Sequence, residues 1–140
     1  LGPVLQVLAV HGPQIQPIKV EDTSHLIFRT AQGVVGAIDV SWSLPKEKEH
    51  YIEIFGTEGL LQIGWKTSRY RQVRSNEWVQ FGKGYNKQEA FESQIRNFIA
   101  TCRGLEQPLI TPEDALASVR VIESAYQSAA QNAWVQVPQS

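Results

Sequence analysis

Tyr51-Ile52-Glu53-Ile54-Phe55-Gly56-Thr57-Glu58-Gly59-Leu60-Leu61-Gln62-Ile63 contains two β-prone runs, Tyr51 to Phe55 and Leu60 to Ile63, on either side of a short connection bounded by glycines. A connection of that length makes the two runs antiparallel neighbours. Glycine at each end can take a left-handed or tightly approached backbone that a side chain would penalise, so the turn is specified locally. The stretch predicts a hairpin in the middle of a sheet. It specifies geometry, not chemistry.

Upstream, Val34 to Leu44 reads as the longest strand. Val34, Ile38, Val40, Trp42 and Leu44 share one parity; Val35, Ala37, Asp39, Ser41 and Ser43 share the other. One packed face and one small or polar face is the pattern of an antiparallel sheet with helices on a single side. Thr23 to Thr30 is a second strand, joined to it by the Ala31-Gln32-Gly33 turn. In Pro3 to Val10 the apolar residues fall on both parities, which predicts a strand covered on both faces. Pro45 and the charged run Lys46 to Glu49 form a solvated loop before the hairpin.

Downstream, Trp65 to Phe81 reads as a more polar hairpin at the sheet edge, turning at Ser75-Asn76-Glu77. Asn86 with Glu89 has the form of a capping box, and Ala90, Phe91, Ile95, Phe98, Ile99 and Cys102 make an apolar stripe behind it, closed by Gly104. Thr111-Pro112-Glu113-Asp114 is a stronger start signal, with Ala115, Leu116, Val119, Ile122, Tyr126 and Ala129 as its stripe. A short strand, Trp134 to Val137, ends the chain. Strands, then two helices, then one strand imply the α+β class: a mostly antiparallel open sheet with both C-terminal helices on one face, in a single domain over residues 1–140.

Hydrophobic residues make up 42% and charged residues 19% of the 140, with a formal net charge of −1. That balance describes a globular chain with no global field for nucleic acid or anionic lipid. The one cysteine, Cys102, forms no internal disulfide, and no run reaches the length of a membrane span, so the expectation is a soluble, cytoplasmic protein. Methionine is absent, even at position 1, so the expectation is a piece of a longer protein.

No phosphate-binding glycine loop is visible. His11, His25 and His50 lie far apart with no ligand spacing, so no metal site is expected. Ser41, Ser43 and Asp39 share a strand and cannot by themselves make a catalytic triad. Trp42, Tyr51, Phe55 and Trp65 are expected in the core or at a subunit contact. The basic run Lys66 to Arg74 has two readings. It is either a solvated edge strand whose charge blocks aggregation, or a site where Arg69, Arg71 and Arg74 hold a phosphate or carboxylate of a substrate.

The segments VEDTSHLIFRTAQGVVGAIDVSWSLP (20–45), YIEIFGTEGLLQI (51–63) and PLITPEDALASVRVIESAYQSAAQNAWVQV (108–137) resemble, in that order, the C-terminal domain of the Gfo/Idh/MocA family of NAD(P)-dependent oxidoreductases. Asp22, Gly33, Gly36, Ser41, Trp42, Gly56, Thr57, Glu58, Gly59, Pro108, Asp114, Ala115 and Ser128 carry the resemblance. It implies a parent chain with an N-terminal Rossmann domain, an NAD or NADP cofactor held there, and catalytic lysine and histidine residues outside these 140. No catalytic or cofactor-binding residue is therefore assigned in this chain, which should be inactive alone. The implied role is the back wall of a sugar or cyclitol substrate pocket, with homo-oligomerisation through the open sheet face at Val35, Ala37, Ser41 and Ser43. The alternative is a non-enzymatic α+β module that binds a protein or small ligand through the same face.

Overall fold

A computed structural model describes residues 1–45 and 47–139; Lys46, the first residue of the charged run in the expected solvated loop, lies outside them. The elements follow in the order β1 (Val4–His11), β2 (Thr23–Thr30), β3 (Val35–Ser41), β4 (His50–Gly56), β5 (Gly59–Gly64), β6 (Ser68–Gln72), β7 (Val79–Phe81), α1 (Lys87–Cys102), α2 (Pro112–Gln131) and β8 (Val135–Gln136). The class is α+β, every strand pair is antiparallel, and the helices follow the main run of strands. The strands make two four-stranded sheets, ordered β3-β2-β1-β8 and β4-β5-β6-β7, where a single meander was expected. They divide the chain into two compact units, one built from residues 1–45 and 110–139, the other from 47–109.

In the first unit α2 packs on β1 and β8. Val7 and Ala9 of β1 are fully buried with Leu26 and Val137, and Val121, Ala125 and Ala129 of α2 close over them. The opposite face of β1 is open: Leu8 is half-buried and Val10 exposed. The strand expected to be covered on both faces is thus covered on one, because a single helix supplies the cover. α2 does not reach across to β3, and Ile38, Val40 and Trp42 on the supposed packed parity are exposed, Trp42 to 91%. β3 also stops three residues before the predicted Leu44. The Ser41 Oγ accepts from the Ser43 and Leu44 amides at 3.1 and 3.0 Å and turns the chain out of the sheet.

Thr111 opens α2 with a complete capping box. Its Oγ1 accepts from the Asp114 amide at 3.2 Å, while the Asp114 carboxylate accepts from the Thr111 amide at 3.0 Å. Those Thr111 donors hold the Asp114 carboxyl below its ordinary value.

In the second unit the opening hairpin forms, with Gly56 paired to Gly59 across Thr57 and Glu58, but it lies at one side of its sheet rather than in the middle, because β4 has only β5 beside it. Its glycines do not use the left-handed region; Gly59 is needed because β6 lies against it, and an added Cβ would stand 2.4 Å from the Arg71 carbonyl oxygen. β6 pairs with β5 on one side and β7 on the other, so the basic strand is internal and β7 is the edge. Tyr51, Trp65 and Tyr85 form a chain of ring contacts at 4.5 and 5.9 Å that docks the approach to α1 on the β5–β6 turn. Phe55, by contrast, is 77% exposed and takes no part in a core. Asn86 caps α1 through the Gln88 and Glu89 amides, and no residue of α1 is buried. Asn97 ties the helix to its exit through Glu106, the Gln107 carbonyl and the Leu109 amide.

Candidate functional site

Each unit presents one sheet face on which candidate residues from the sequence gather. In the first unit it is the face turned away from α2. Strand register places Gln6, Arg29 and Val35 in one row, Leu8, Ile27 and Ala37 in the next, and Val10, His25 and Asp39 in a third. Val35, Ala37 and Ser41 are therefore brought onto one surface, as their parity requires. Val10, Ile27 and Val35 are exposed on it, Val35 to 61%. On the same face His25 Nδ1 lies 3.1 Å from Asp39 Oδ1.

The two serines differ from that picture. The Ser41 hydroxyl is hydrogen-bonded to Thr23 Oγ1 at 2.7 Å, besides accepting the two amides that end β3. Ser43 lies beyond the strand, and its hydroxyl donates to Asp22 Oδ2 at 3.0 Å. Asp22 is the post to which the 12–22 loop is tied: the same oxygen accepts from the Ile15 and Gln16 amides at 2.7 and 2.8 Å. The Gln16 and Ile15 amides, helped by Ser43 and Thr23, hold its carboxyl below the ordinary carboxylate value.

That depression has a sign. A carboxylate stabilised in the folded state contributes stability above the unfolded value, near 3.9, and loses it as the pH falls through the folded one. The amides of Ile15 and Gln16 should therefore stay protected from hydrogen exchange down to about pH 4 and lose protection below it. In Asp22→Ala they should be unprotected at every pH, whereas a wild-type protection profile that stays flat below pH 4 would contradict the assignment.

Two clefts flank the first sheet. One of about 410 Å³ is lined by Val10, His11, Tyr126, Ala129, Ala130 and Asn132. The Tyr126 hydroxyl is committed to Glu21, which it reaches at 2.8 Å, and that bond pushes its pKa up. It is not a group poised to give up a proton. The other, of about 160 Å³, runs along Asp22, Thr23, Ser41 and Trp42.

In the second unit the arginines separate. Arg69 and Arg71 project from the same face of β6, and the centre of the Trp78 ring lies 4.4 Å from Arg69 Cζ and 5.4 Å from Arg71 Cζ. Arg74 stands in the turn beyond the strand and is exposed. Trp78 was not among the residues picked out by sequence. The signal that finds it is the β6–β7 register, which sets Arg69 opposite Gln80 and Tyr70 opposite Val79 and so brings Trp78, just before β7, alongside Arg71.

Among the described residues no three His, Cys, Asp or Glu side chains gather as a metal site, and no helix is long and apolar enough to cross a membrane. The strands are antiparallel throughout, so the described residues include no parallel strand, glycine loop and helix of the kind that cradles a dinucleotide.

Residues 1–137 match the family model described as the oxidoreductase family C-terminal alpha/beta domain, GFO_IDH_MocA_C. The chain belongs to the Gfo/Idh/MocA oxidoreductase family. This Gfo/Idh/MocA domain has the fold of part of several solved oxidoreductases. Levoglucosan dehydrogenase in complex with NADH superposes with a TM-score of 0.82 at 20% identity, over 100% of this chain and 46% of that one. An NAD binding oxidoreductase from Klebsiella pneumoniae gives 0.81 at 15% identity, over 99% and 46%. The WlbA dehydrogenase from Bordetella pertussis, in complex with NADH and UDP-GlcNAcA, gives 0.63 at 23% identity, over 100% and 40%. The Gfo/Idh/MocA domain therefore spans less than half the length of these structures. No curated protein matches it.

Proposed function

We propose that this domain is the substrate-side wall and subunit-contact surface of a nicotinamide-dependent dehydrogenase acting on a hydroxyl or carbonyl carbon of a sugar, cyclitol or related small molecule. The cofactor, NAD or NADP, supplies the hydride chemistry and belongs to a Rossmann domain of the same parent chain. Membership of the family supports the reaction class. The open face of the first sheet carries the contact role: a flat surface of Leu8, Ile27, Ala37 and Val35 with exposed branched side chains, which a second copy of the chain could cover.

Sedimentation of the intact protein tests the contact. Ala37 is exposed and faces Ile27 across the strand pair, so Ala37→Arg should leave the fold intact while placing a charge in the contact. The expected result is an oligomer for the wild type and a shift towards monomer for the variant. A wild type that stays monomeric at high micromolar concentration overturns the contact role and favours a binding module. The reaction class is tested separately, by following NAD or NADP reduction by the intact protein over a panel of polyols and sugars.

A further inference from the structure

The arginines of β6 have lost their simplest explanation. A basic strand at a sheet edge discourages edge-to-edge pairing, but β6 lies inside its sheet with β7 beyond it. What the structure offers instead is an ordered pair of guanidiniums. Register aligns Glu53, Gln62, Arg69 and Gln80 across all four strands of the sheet. Gln62, a buried side chain, donates to Glu53 Oε1 at 2.6 Å and accepts from Arg69 Nε at 2.7 Å. Arg69 is thereby fixed by its Nε, and among the described residues no hydrogen bond or ion pair takes up its two terminal nitrogens. Trp78 supplies a flat surface for both guanidiniums, at 4.4 Å for Arg69 and 5.4 Å for Arg71, a favourable arrangement for each cation by itself.

Together they repel. Among the described residues no carboxylate lies within ion-pairing distance of either; Glu53 reaches Arg69 only through the Gln62 amide, so two like charges lie over one indole without a direct ion pair. An oxyanion between them would turn that repulsion into attraction, and planar guanidinium forks suit its paired oxygens.

We infer that Arg69, Arg71 and Trp78 form a preorganised clamp for the oxyanion, carboxylate or phosphate, of a small-molecule ligand, with Arg74 outside it. This deepens the substrate-wall reading, on which it rests only for the ligand being a substrate; the binding itself stands apart from that reading.

Calorimetric titration of the intact protein with inorganic phosphate and, separately, with gluconate tests it and tells the two oxyanions apart. At least one should bind, more weakly as salt is raised. Arg71→Gln should weaken that binding about tenfold or more, and Arg71→Lys should fail to restore it, because lysine has no planar fork. Trp78→Leu, which leaves the net charge unchanged, should weaken it as well, while Arg74→Gln should leave it within about twofold. Arg71 is exposed, so its variants fold and carry the test even where Trp78→Leu does not. Binding of neither probe overturns the clamp, as does an Arg74→Gln loss equal to that of Arg71→Gln. Failure of the dehydrogenase reading looks different: no turnover of any polyol, with oxyanion binding retained.

Discussion

Gly59→Ala is expected to destabilise the protein by about 3 kcal/mol, at the upper end of what overpacking costs when the neighbours are unable to move. The new Cβ would lie 2.4 Å from the Arg71 carbonyl oxygen and 3.3 Å from both the Arg71 carbonyl carbon and the Gln72 Cα. All three are main-chain atoms of the paired strand, held there by the β5–β6 ladder and by the Val73 amide donating to the Glu58 carbonyl at 2.9 Å. No rotamer change relieves such a contact, so the strands must separate. Gly56, at the other end of the same turn, is the internal control. A Cβ there meets nothing nearer than the Gly59 carbonyl oxygen at 3.5 Å, and its φ is not in the left-handed region. Gly56→Ala should cost less than about 1 kcal/mol and could be neutral, since alanine also restricts the unfolded chain. Urea unfolding of the two variants reads the difference directly. Equal midpoints would mean that β6 does not lie where the register places it.

That comparison also marks how far the sequence could be read. The turn itself was legible because its length, its glycines and the alternation on either side are local. The Thr111 cap was legible for the same reason: threonine, proline and two acids stand together in the chain. The reason for Gly59 was not, since the atom that excludes a side chain belongs to Arg71, a strand away. The two sheets were missed for a related cause. Each hairpin fixes its own register, but whether β3 and β4 adjoin depends on long-range pairing, and the Pro45 to Glu49 segment carries no signal for or against it. Parity alone placed Val35 and Ala37 together correctly. It could not show that Ser43 leaves the strand, because that depends on Ser41 accepting two amides beyond it. The arginines were visible as a charge cluster, whereas their sorting into two on Trp78 and one in the turn required the β6–β7 register.

Ser128 shows the same limit in the core, and its loss should be nearly as costly as an alanine at Gly59. By sequence it is a small polar residue in α2 that takes its place in the family pattern. In the structure it is fully buried, and its Oγ accepts from the Ala9 amide at 2.9 Å and donates to the Ala133 carbonyl at 2.6 Å. Ala9 needs that acceptor because β8 is short: it pairs with Gln6 and Val7 and then ends. The hydroxyl continues the missing ladder by one bond and at the same time anchors the chain as it leaves α2 towards β8. Ser128→Ala strands the buried Ala9 amide and takes the donor from the Ala133 carbonyl, a loss of about 2–3 kcal/mol. Two readouts should move together: the urea midpoint should fall, and the Ala9 amide should lose its exchange protection while Val7, still paired with Val135, keeps its own. A variant that unfolds at the wild-type urea concentration with Ala9 still protected would show that the hydroxyl does not hold β1 to α2. The expected result instead makes this one bond the fastening of the sheet whose outer face is proposed to meet a second subunit.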